Sequence, residues 1–147
     1  MATASLPVVL EQTLPVGAAP PLHVHRSLDD SWFLLEGLVV VQCWEQFLVA
    51  TPGHWVSQPR GVPHAFRVVG DRPARTLLVH NDTSFRDFVH DLGEPAAAPT
   101  LPPPTGGPGI DALSRALIEH DSTVVGPSLT AEQAQIVMKA HTTARTP

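Results

Sequence analysis

The sequence predicts an all-β domain, either a sandwich or a barrel, followed by a helical C-terminal extension. From Leu6 to about Asn81 the chain is a series of short apolar segments separated at regular intervals by Gly and Pro, with almost no helical period. After Asn81, apolar residues recur at helical spacing instead. A chain of 147 residues is about one domain and is long enough to bury a core.

The predicted strands are short apolar segments bounded by turn residues. The turns fall at 15–17, 36–37, 51–53, 59–63 and 70–73, where Gly or Pro interrupts the pattern. In chain order, the predicted strands are PVVLEQTL, LHVH, SWFLLE, LVVVQCW, QFLVA, HWVSQP, HAFRVV and RTLLVHN.

Three helices are predicted after the strands. DTSFRDFVHDLG and IDALSRALIEH space their apolar residues for one helical face each, and Thr130 with Gln133 forms a capping-box signal for a last helix through about His141. The segment between the first two helices is rich in Pro and Gly, and is predicted to be an extended linker. We therefore expect a barrel with a closing helix at 1–94, a linker at 95–109, and an extension at 110–147. The extension is too short to fold alone, so it should pack on the barrel or on a partner subunit.

Composition excludes several classes of function. A net charge of −5 and a pI near 5.8 provide no basic surface, which argues against nucleic acid or an anionic membrane as a partner. The one cysteine, Cys43, cannot form an internal disulfide, which points to a reducing compartment. No apolar run is long enough for a membrane helix, and the first residues do not have the pattern of a signal peptide. These features predict a cytoplasmic protein.

The candidate chemistry lies in PPLHVHRSLDD and GHWVSQPRGVPHAF. Residues i and i+2 of a strand point to the same face, so His23 and His25 project together. Asp30 begins the next segment and His64 opens a later one. Two neighbouring imidazoles, a carboxylate and a distant imidazole form a plausible ligand set for Fe, Mn, Ni, Cu or Zn. Asp29 is the alternative carboxylate, but its parity turns it away from this face.

These two segments resemble the paired motifs of the cupin superfamily, over roughly residues 15–80. The first motif matches at Gly17, His23, His25, Asp30 and Gly37. The second matches at Gly53, Pro59, Gly61 and His64, with Val68 where the family usually has Asn. The resemblance implies a cupin, jelly-roll-like β-barrel with a C-terminal helical extension. It also implies one divalent transition metal on His23, His25, Asp30 and His64.

Asp30 stands where the family mostly has Glu, and Asp is one methylene shorter. It could ligate the metal directly, or it could stop short and hold a water on a metal bound by three histidines. It could also serve only as a loop-capping acid.

Several residues near the motifs are candidates for a substrate pocket. Trp32 and Phe66 lie two residues beyond Asp30 and His64, which predicts an aromatic wall beside the ligands or ordinary barrel core. Val68, in place of Asn, indicates an apolar cavity. His80 ends a strand and either reaches the pocket mouth or is an ordinary buried histidine. His90, His120 and His141 lie in predicted helical segments and are expected to face solvent.

Within the superfamily, PRGVPHAFRV, SFRDFVHDLGEPA, LPPPTG and ALIEHDSTVVGP are similar to the ending of small single-domain cupins described as quercetin 2,3-dioxygenase-like. This resemblance implies a homodimer that joins O2 to a small apolar aromatic substrate, flavonol- or polyketide-like, with Asp30 as catalytic base. Two alternatives use the same barrel. One is a redox-neutral metal-dependent cyclase or isomerase of secondary metabolism, and the other is a cupin that binds a small ligand without catalysis.

Overall fold

The structure is a computed structural model that describes residues 7–98, 100–101, 110–120 and 122–144, excluding the side chains of residues 110, 113 and 114. Residues 102–109 of the predicted linker therefore lie outside the described part, as do both chain ends. The strands are β1 (Val8–Leu14), β2 (Pro21–His25), β3 (Asp30–Glu36), β4 (Leu38–Cys43), β5 (Gln46–Ala50), β6 (Trp55–Gln58), β7 (His64–Val69), β8 (Ala74–His80) and β9 (Ser122–Ser128). The helices are α1 (Ser84–Leu92), α2 (Ile110–Glu119) and α3 (Ala131–Ala144).

The strands form two antiparallel sheets that face each other. One sheet has the order β1-β8-β3-β6 and the other the order β5-β4-β7-β2-β9. The prediction of an all-β, jelly-roll-like barrel with C-terminal helices is confirmed, and each of the eight predicted strands is present. The main core fills the space between the sheets, with Trp32, Leu34, Val41, Val56 and Leu78 among its buried residues.

The second sheet is covered on its outer face as well. Val39, Val40 and Val41 are consecutive in β4, and all three are buried, although alternate residues of a strand point to opposite faces. Val40 packs outward against Leu129, two residues before α3, and against Ala134 within α3. The predicted capping box is present, because the Thr130 hydroxyl accepts a hydrogen bond from the backbone N–H of Gln133, at 3.1 Å. Helix α3 therefore makes β4 a strand that is buried on both faces.

Strand β9 corrects the prediction of a purely helical extension. It pairs antiparallel with β2, with Ser122 opposite His25 and Ser128 opposite Pro21, and so it adds an edge strand to the second sheet. The pairing shifts register on either side of Leu22, which accommodates Gly126 and Pro127 within the strand. The division into barrel, linker and extension stays a prediction.

The turn between β3 and β4 depends on a glycine. Gly37 has φ +89°, and a Cβ there would lie 2.7 Å from the Ala74 Cα and from the Pro73 carbonyl oxygen. Both the backbone conformation and the close approach exclude a side chain. This turn holds β3, which carries Asp30 at its other end, against the start of β8.

Candidate metal centre

Three histidines meet at one end of the space between the sheets. His23 and His25 lie on the same face of β2, and His64 opens β7 directly opposite His23. Their ring centroids are 4.5 to 5.2 Å apart. One ligand nitrogen from each ring lies within 4.8 Å of the other two, and all three residues are buried. The structure thus brings together the three histidines that the sequence analysis selected.

Hydrogen bonds on the far side of the rings determine which nitrogens face the centre. His23 Nδ1 lies 2.8 Å from the Pro21 carbonyl oxygen, and His64 Nδ1 lies 2.9 Å from the Val62 carbonyl oxygen. A carbonyl only accepts, so both Nδ1 atoms carry the proton and both Nε2 atoms keep a lone pair. His25 Nδ1 lies 2.8 Å from the Ser122 hydroxyl oxygen, on β9. Outer hydrogen bonds of this kind orient metal-binding imidazoles.

Burial also favours the neutral imidazoles that a metal requires. Burial is the main cause that lowers the pKa of His23 and of His64. Burial, with the neighbouring imidazoles of His23 and His64, lowers the pKa of His25 to about 4. Among the described residues, the buried Nε2 of His64 has no hydrogen-bond partner. Three neutral nitrogen donors, one of them buried and unpaired, fit a divalent transition metal.

Asp30 lies beside the histidines, but its carboxylate is closer to His80 than to His64. Its Oδ1 lies 3.0 Å from His80 Nε2, and its Oδ2 lies 3.9 Å from His64 Nε2. Asp30 and His80 are directly opposite in the pairing of β3 with β8. His80 is almost fully buried, and its Nδ1 has no partner among the described residues. Direct ligation of a metal by Asp30 stays a prediction.

Asp29 points away from the centre, as its parity predicted. Arg60 binds its carboxylate through the guanidinium, with an Nε to Oδ1 distance of 2.9 Å, and through the backbone N–H. These bonds lower the pKa of Asp29 to about 2. Asp29 and Arg60 therefore form a surface ion pair outside the histidine cluster.

A cavity of about 220 Å³ adjoins the cluster and is lined by His23, His25, His64 and Asp30. Its walls are mainly apolar, and among the described residues no Lys or Arg lines it. The other lining residues are Gln12, Leu14, Pro20, Pro21, Leu28, Trp32, Val39, Gln58, Phe66, Thr76, Leu78, Phe85, Phe88, Leu117, His120 and Ser122.

The predicted pocket residues divide into two groups. Trp32 and Phe66 line the cavity, with ring centroids 6.4 Å apart in an edge-to-face arrangement. Val68 and His80 do not line it. Val68 is buried in the core between the sheets, and His80 lies behind Asp30. His80 contacts two residues that line the cavity, Asp30 and Phe85. A role for Val68 and His80 in a substrate pocket stays a prediction.

The segment after the barrel contributes one side of the cavity. Phe85 and Phe88 of α1, Leu117 of α2 and His120 all line it. The expectation that His120 faces solvent was wrong, because its side chain is only 15% exposed. Its Nε2 lies 2.8 Å from the Asp91 carboxylate, a contact that joins the ends of α1 and α2.

Sequence reasoning missed four polar residues of the cavity: Gln12, Gln58, Thr76 and Ser122. Gln58 lies two residues beyond the buried Val56 of β6, so strand parity places it inside, although its position before Pro59 resembles a turn. Thr76 has the same parity as Leu78 in β8. Ser122 lies on the unpredicted β9, 97 residues from its partner His25, and no local signal indicates it.

Comparison with known proteins agrees with this geometry. Residues 10–80 match the protein family described as "Cupin domain". This part of the chain is a cupin domain. Strands β1 to β8, with the histidine cluster on β2 and β7 and the glycine turns, lie within or next to this segment. No curated protein sequence is significantly similar to the chain.

Solved structures with a similar fold include three that differ in description. The chain is 36% identical to TT1209 from Thermus thermophilus, with a TM-score of 0.45, covering 48% of this chain and 67% of that one. It is 16% identical to the Cnp3 cupin domain of Schizosaccharomyces pombe, with a TM-score of 0.50, covering 64% and 69%. It is 28% identical to a cupin-superfamily sugar phosphate isomerase from Silicibacter pomeroyi, with a TM-score of 0.47, covering 52% and 50%. The chain thus spans from half to about two thirds of the length of these structures.

Within the described residues, we find no helix with the length and apolar character needed to cross a membrane.

Proposed function

We propose that the cupin domain is a mononuclear metal-dependent enzyme that acts on a small, largely apolar, oxygenated aromatic, with O2 as co-substrate. The observation that carries the proposal is the convergence of one ring nitrogen from each of three buried histidines at one end of an apolar cavity. His23, His25 and His64 hold the metal in this proposal. Asp30, 3.9 Å from His64 Nε2, completes the site as a ligand or as the base.

In this proposal, some residues hold the substrate and another accepts its proton. Trp32 and Phe66 provide an aromatic wall for a flat substrate. Asp30 lines the same cavity and accepts a hydrogen bond from His80 or from a substrate hydroxyl, so it is placed to take the hydroxyl proton. A divalent transition metal, when bound, would polarise an oxygen of the substrate and, if redox-active, would allow electron transfer to O2. Both atoms of O2 enter the substrate, so the reaction needs no external reductant.

Among the described residues no Lys or Arg lines the cavity, which supports an uncharged substrate. Arg60 is bound to Asp29, and Arg67 donates to the Leu129 carbonyl oxygen at 3.0 Å. A phosphate or carboxylate in this cavity would lose its hydration, and only the proposed metal could compensate for that loss. A flavonol- or polyketide-like molecule has no such charge.

A redox-neutral cyclase or isomerase is the second candidate, and the contact between Asp30 and His80 favours it. The two side chains are 3.0 Å apart, and His80 is almost fully buried. Such a pair can take a proton from one atom of a substrate and return it to another without any change of oxidation state. The metal would then act as a Lewis acid only.

Oxygen uptake distinguishes the two enzymes. We would incubate the purified, metal-analysed protein with 3-hydroxyflavone or with 1-phenyl-1,3-butanedione, and follow O2 with an electrode and products by mass spectrometry. Uptake of O2, with both of its atoms found in the products together when 18O2 is supplied, supports the dioxygenase. A product of unchanged mass, formed equally under nitrogen, supports the redox-neutral enzyme.

His64→Ala is the test variant for the site, and His90→Ala is its control, because His90 is exposed on α1. We expect His64→Ala to lose both metal and turnover while circular dichroism shows a folded barrel. Full metal occupancy in His64→Ala would contradict the proposed site. Tight ligand binding without metal or turnover in the wild type would favour a binding protein instead.

We also propose that the chain forms a homodimer in the cytoplasm. Trp44 at the β4–β5 turn and Phe47 and Leu48 on β5 are large apolar residues that are more than 40% exposed. Light scattering after size-exclusion chromatography at several concentrations would measure the oligomeric state. A monomer at all concentrations would contradict the proposal.

A further inference from the structure

Gln58 is a buried polar residue that the proposed chemistry does not use. It ends β6, is 1% exposed and lines the cavity. Its Oε1 accepts a hydrogen bond from Trp32 Nε1, at 3.0 Å. The indole N–H can only donate, so this contact determines the orientation of the amide. The NH2 group of Gln58 therefore takes no part in the contact with Trp32.

This NH2 group has no hydrogen-bond partner among the described residues. A buried donor without a partner costs free energy that native structures rarely accept without a reason. The walls around the cavity offer little compensation, because Trp32, Val39 and Leu78 are apolar there. An acceptor brought by a ligand would satisfy the donor.

The register places Gln58 at the same level as the metal centre. Gln58 is directly opposite Asp30 in the pairing of β6 with β3. Thr76 also lines the cavity with a buried hydroxyl that has no partner among the described residues, and it is opposite Leu34 of β3. Four residues of β3 separate the two levels, on the order of 13 Å at the strand rise of about 3.3 Å per residue. Thr76 therefore serves as a control for Gln58 at a different level of the same cavity.

We propose that the Gln58 NH2 group recognises an oxygen acceptor, a ketone or an enolate, at the metal-proximal end of a flat apolar ligand. Gln58 is thus a binding residue that determines specificity, and Trp32 orients it while forming part of the wall on which the ligand lies. The proposal names the substrate class of the site described above and rests on that proposed function for the position of the ligand beside the metal.

A matched pair of probes tests the assignment: 1-tetralone carries one carbonyl oxygen, and tetralin is the same bicycle without it. Calorimetry on the protein as purified would measure both affinities. We expect the wild type to bind 1-tetralone about tenfold more tightly than tetralin, the preference that one hydrogen bond to an otherwise unpaired buried donor confers. A wild type that is folded and binds neither probe would overturn the assignment.

Two variants remove the donor, and a third is the control. Gln58→Leu removes the whole amide. Gln58→Met is nearly isosteric, has no donor, keeps a weak acceptor for Trp32 in its sulfur, and covers the case in which Gln58→Leu does not fold. Thr76→Val removes a buried cavity hydroxyl at the other level. We expect the tenfold preference to fall to less than twofold in both Gln58 variants and to persist in Thr76→Val. A preference unchanged in the Gln58 variants, or lost in Thr76→Val, would overturn the proposal.

Metal analysis of each preparation separates this proposal from the proposed function. If the wild type holds no metal but keeps a preference that depends on Gln58, the metal-dependent enzyme fails and the recognition by Gln58 stands. If metal is present and lost only in the histidine variants, while the preference does not depend on Gln58, the recognition fails and the metal site stands.

Discussion

Acid should destabilise the metal-free protein through its buried histidines, and His25 allows the size of the effect to be calculated. The pKa of His25 is about 6.5 in the unfolded chain and about 4 in the folded protein. Between these values the unfolded state binds more protons than the folded state. The free energy of unfolding therefore falls as the pH is lowered from 6.5 towards 4, and it rises again when the pH is raised.

The expected magnitude follows from the two pKa values. The full difference corresponds to about 3 kcal/mol once the pH is below 4. By pH 5, where the unfolded imidazole is almost fully protonated and the folded one is not, about 2 kcal/mol of this should already be lost. His25 is 5% exposed, so solvent screening of its charged form is limited. At a urea m-value of about 2 kcal/mol/M, the unfolding midpoint should fall by about 1 M.

Urea unfolding of chelator-treated protein, followed by tryptophan fluorescence at pH 7.5 and pH 5, measures this loss. The decisive comparison is between the wild type and His25→Gln, with His90→Gln as the control because His90 is exposed. We expect His25→Gln to lose about 2 kcal/mol less than the wild type over this pH range, and His90→Gln to behave as the wild type does. An equal loss in His25→Gln would refute the assignment of a buried neutral imidazole.

Three further substitutions test the turns, the orientation of the ligands and the last helix. Gly37→Ala should lower the free energy of unfolding, measured by thermal unfolding, by at least about 2 kcal/mol, because of the close approach and the positive φ. Gly53→Ala, with positive φ but open space, should lower it by about 1 kcal/mol. Equal losses would contradict the steric argument. Ser122→Ala should weaken metal affinity about tenfold or more in a chelator competition, because it removes the hydrogen bond that orients a ligand imidazole, and the exposed Ser57→Ala should not. Thr130→Ala should lower the free energy of unfolding by about 1 kcal/mol through loss of the helix cap, and an unchanged urea midpoint would contradict that role.

The barrel was predictable because its signals are local. Alternating apolar residues and the Gly or Pro turns between them mark each strand from β1 to β8 without reference to the rest of the chain. Strand β9 was not predictable in this way. It contains Gly126–Pro127, and it is a strand because β2 offers a free edge in space. That edge is a property of the tertiary structure.

The site was predictable to the extent that its residues follow motif spacing. His23, His25 and His64 occupy recognisable positions, and the parity of Asp29 correctly excluded it from the cluster. The partner of Asp30 is different, because the pairing of β3 with β8 places His80 opposite it and no sequence pattern reveals that register.

The residues that the C-terminal segment contributes to the cavity could not be predicted from the sequence either. Ser122 and His120 reach the cavity only because β9 and α2 pack against the barrel, and their partners lie far away in sequence. Interpreted locally, a histidine at the end of a helix indicates a solvent-facing residue. Packing between distant segments of the chain instead places His120 at the cavity.

The measurement that tests the central claim most directly is the metal content of the untagged protein by plasma mass spectrometry, beside the double variant His23→Ala, His25→Ala. We predict a near-stoichiometric divalent transition metal in the wild type and its loss in the variant. Fe, Mn, Ni or Cu would support the oxygen-dependent enzyme, and Zn would support the redox-neutral one. Metal retained in the double variant, or none in the wild type after reconstitution, would contradict the histidine site.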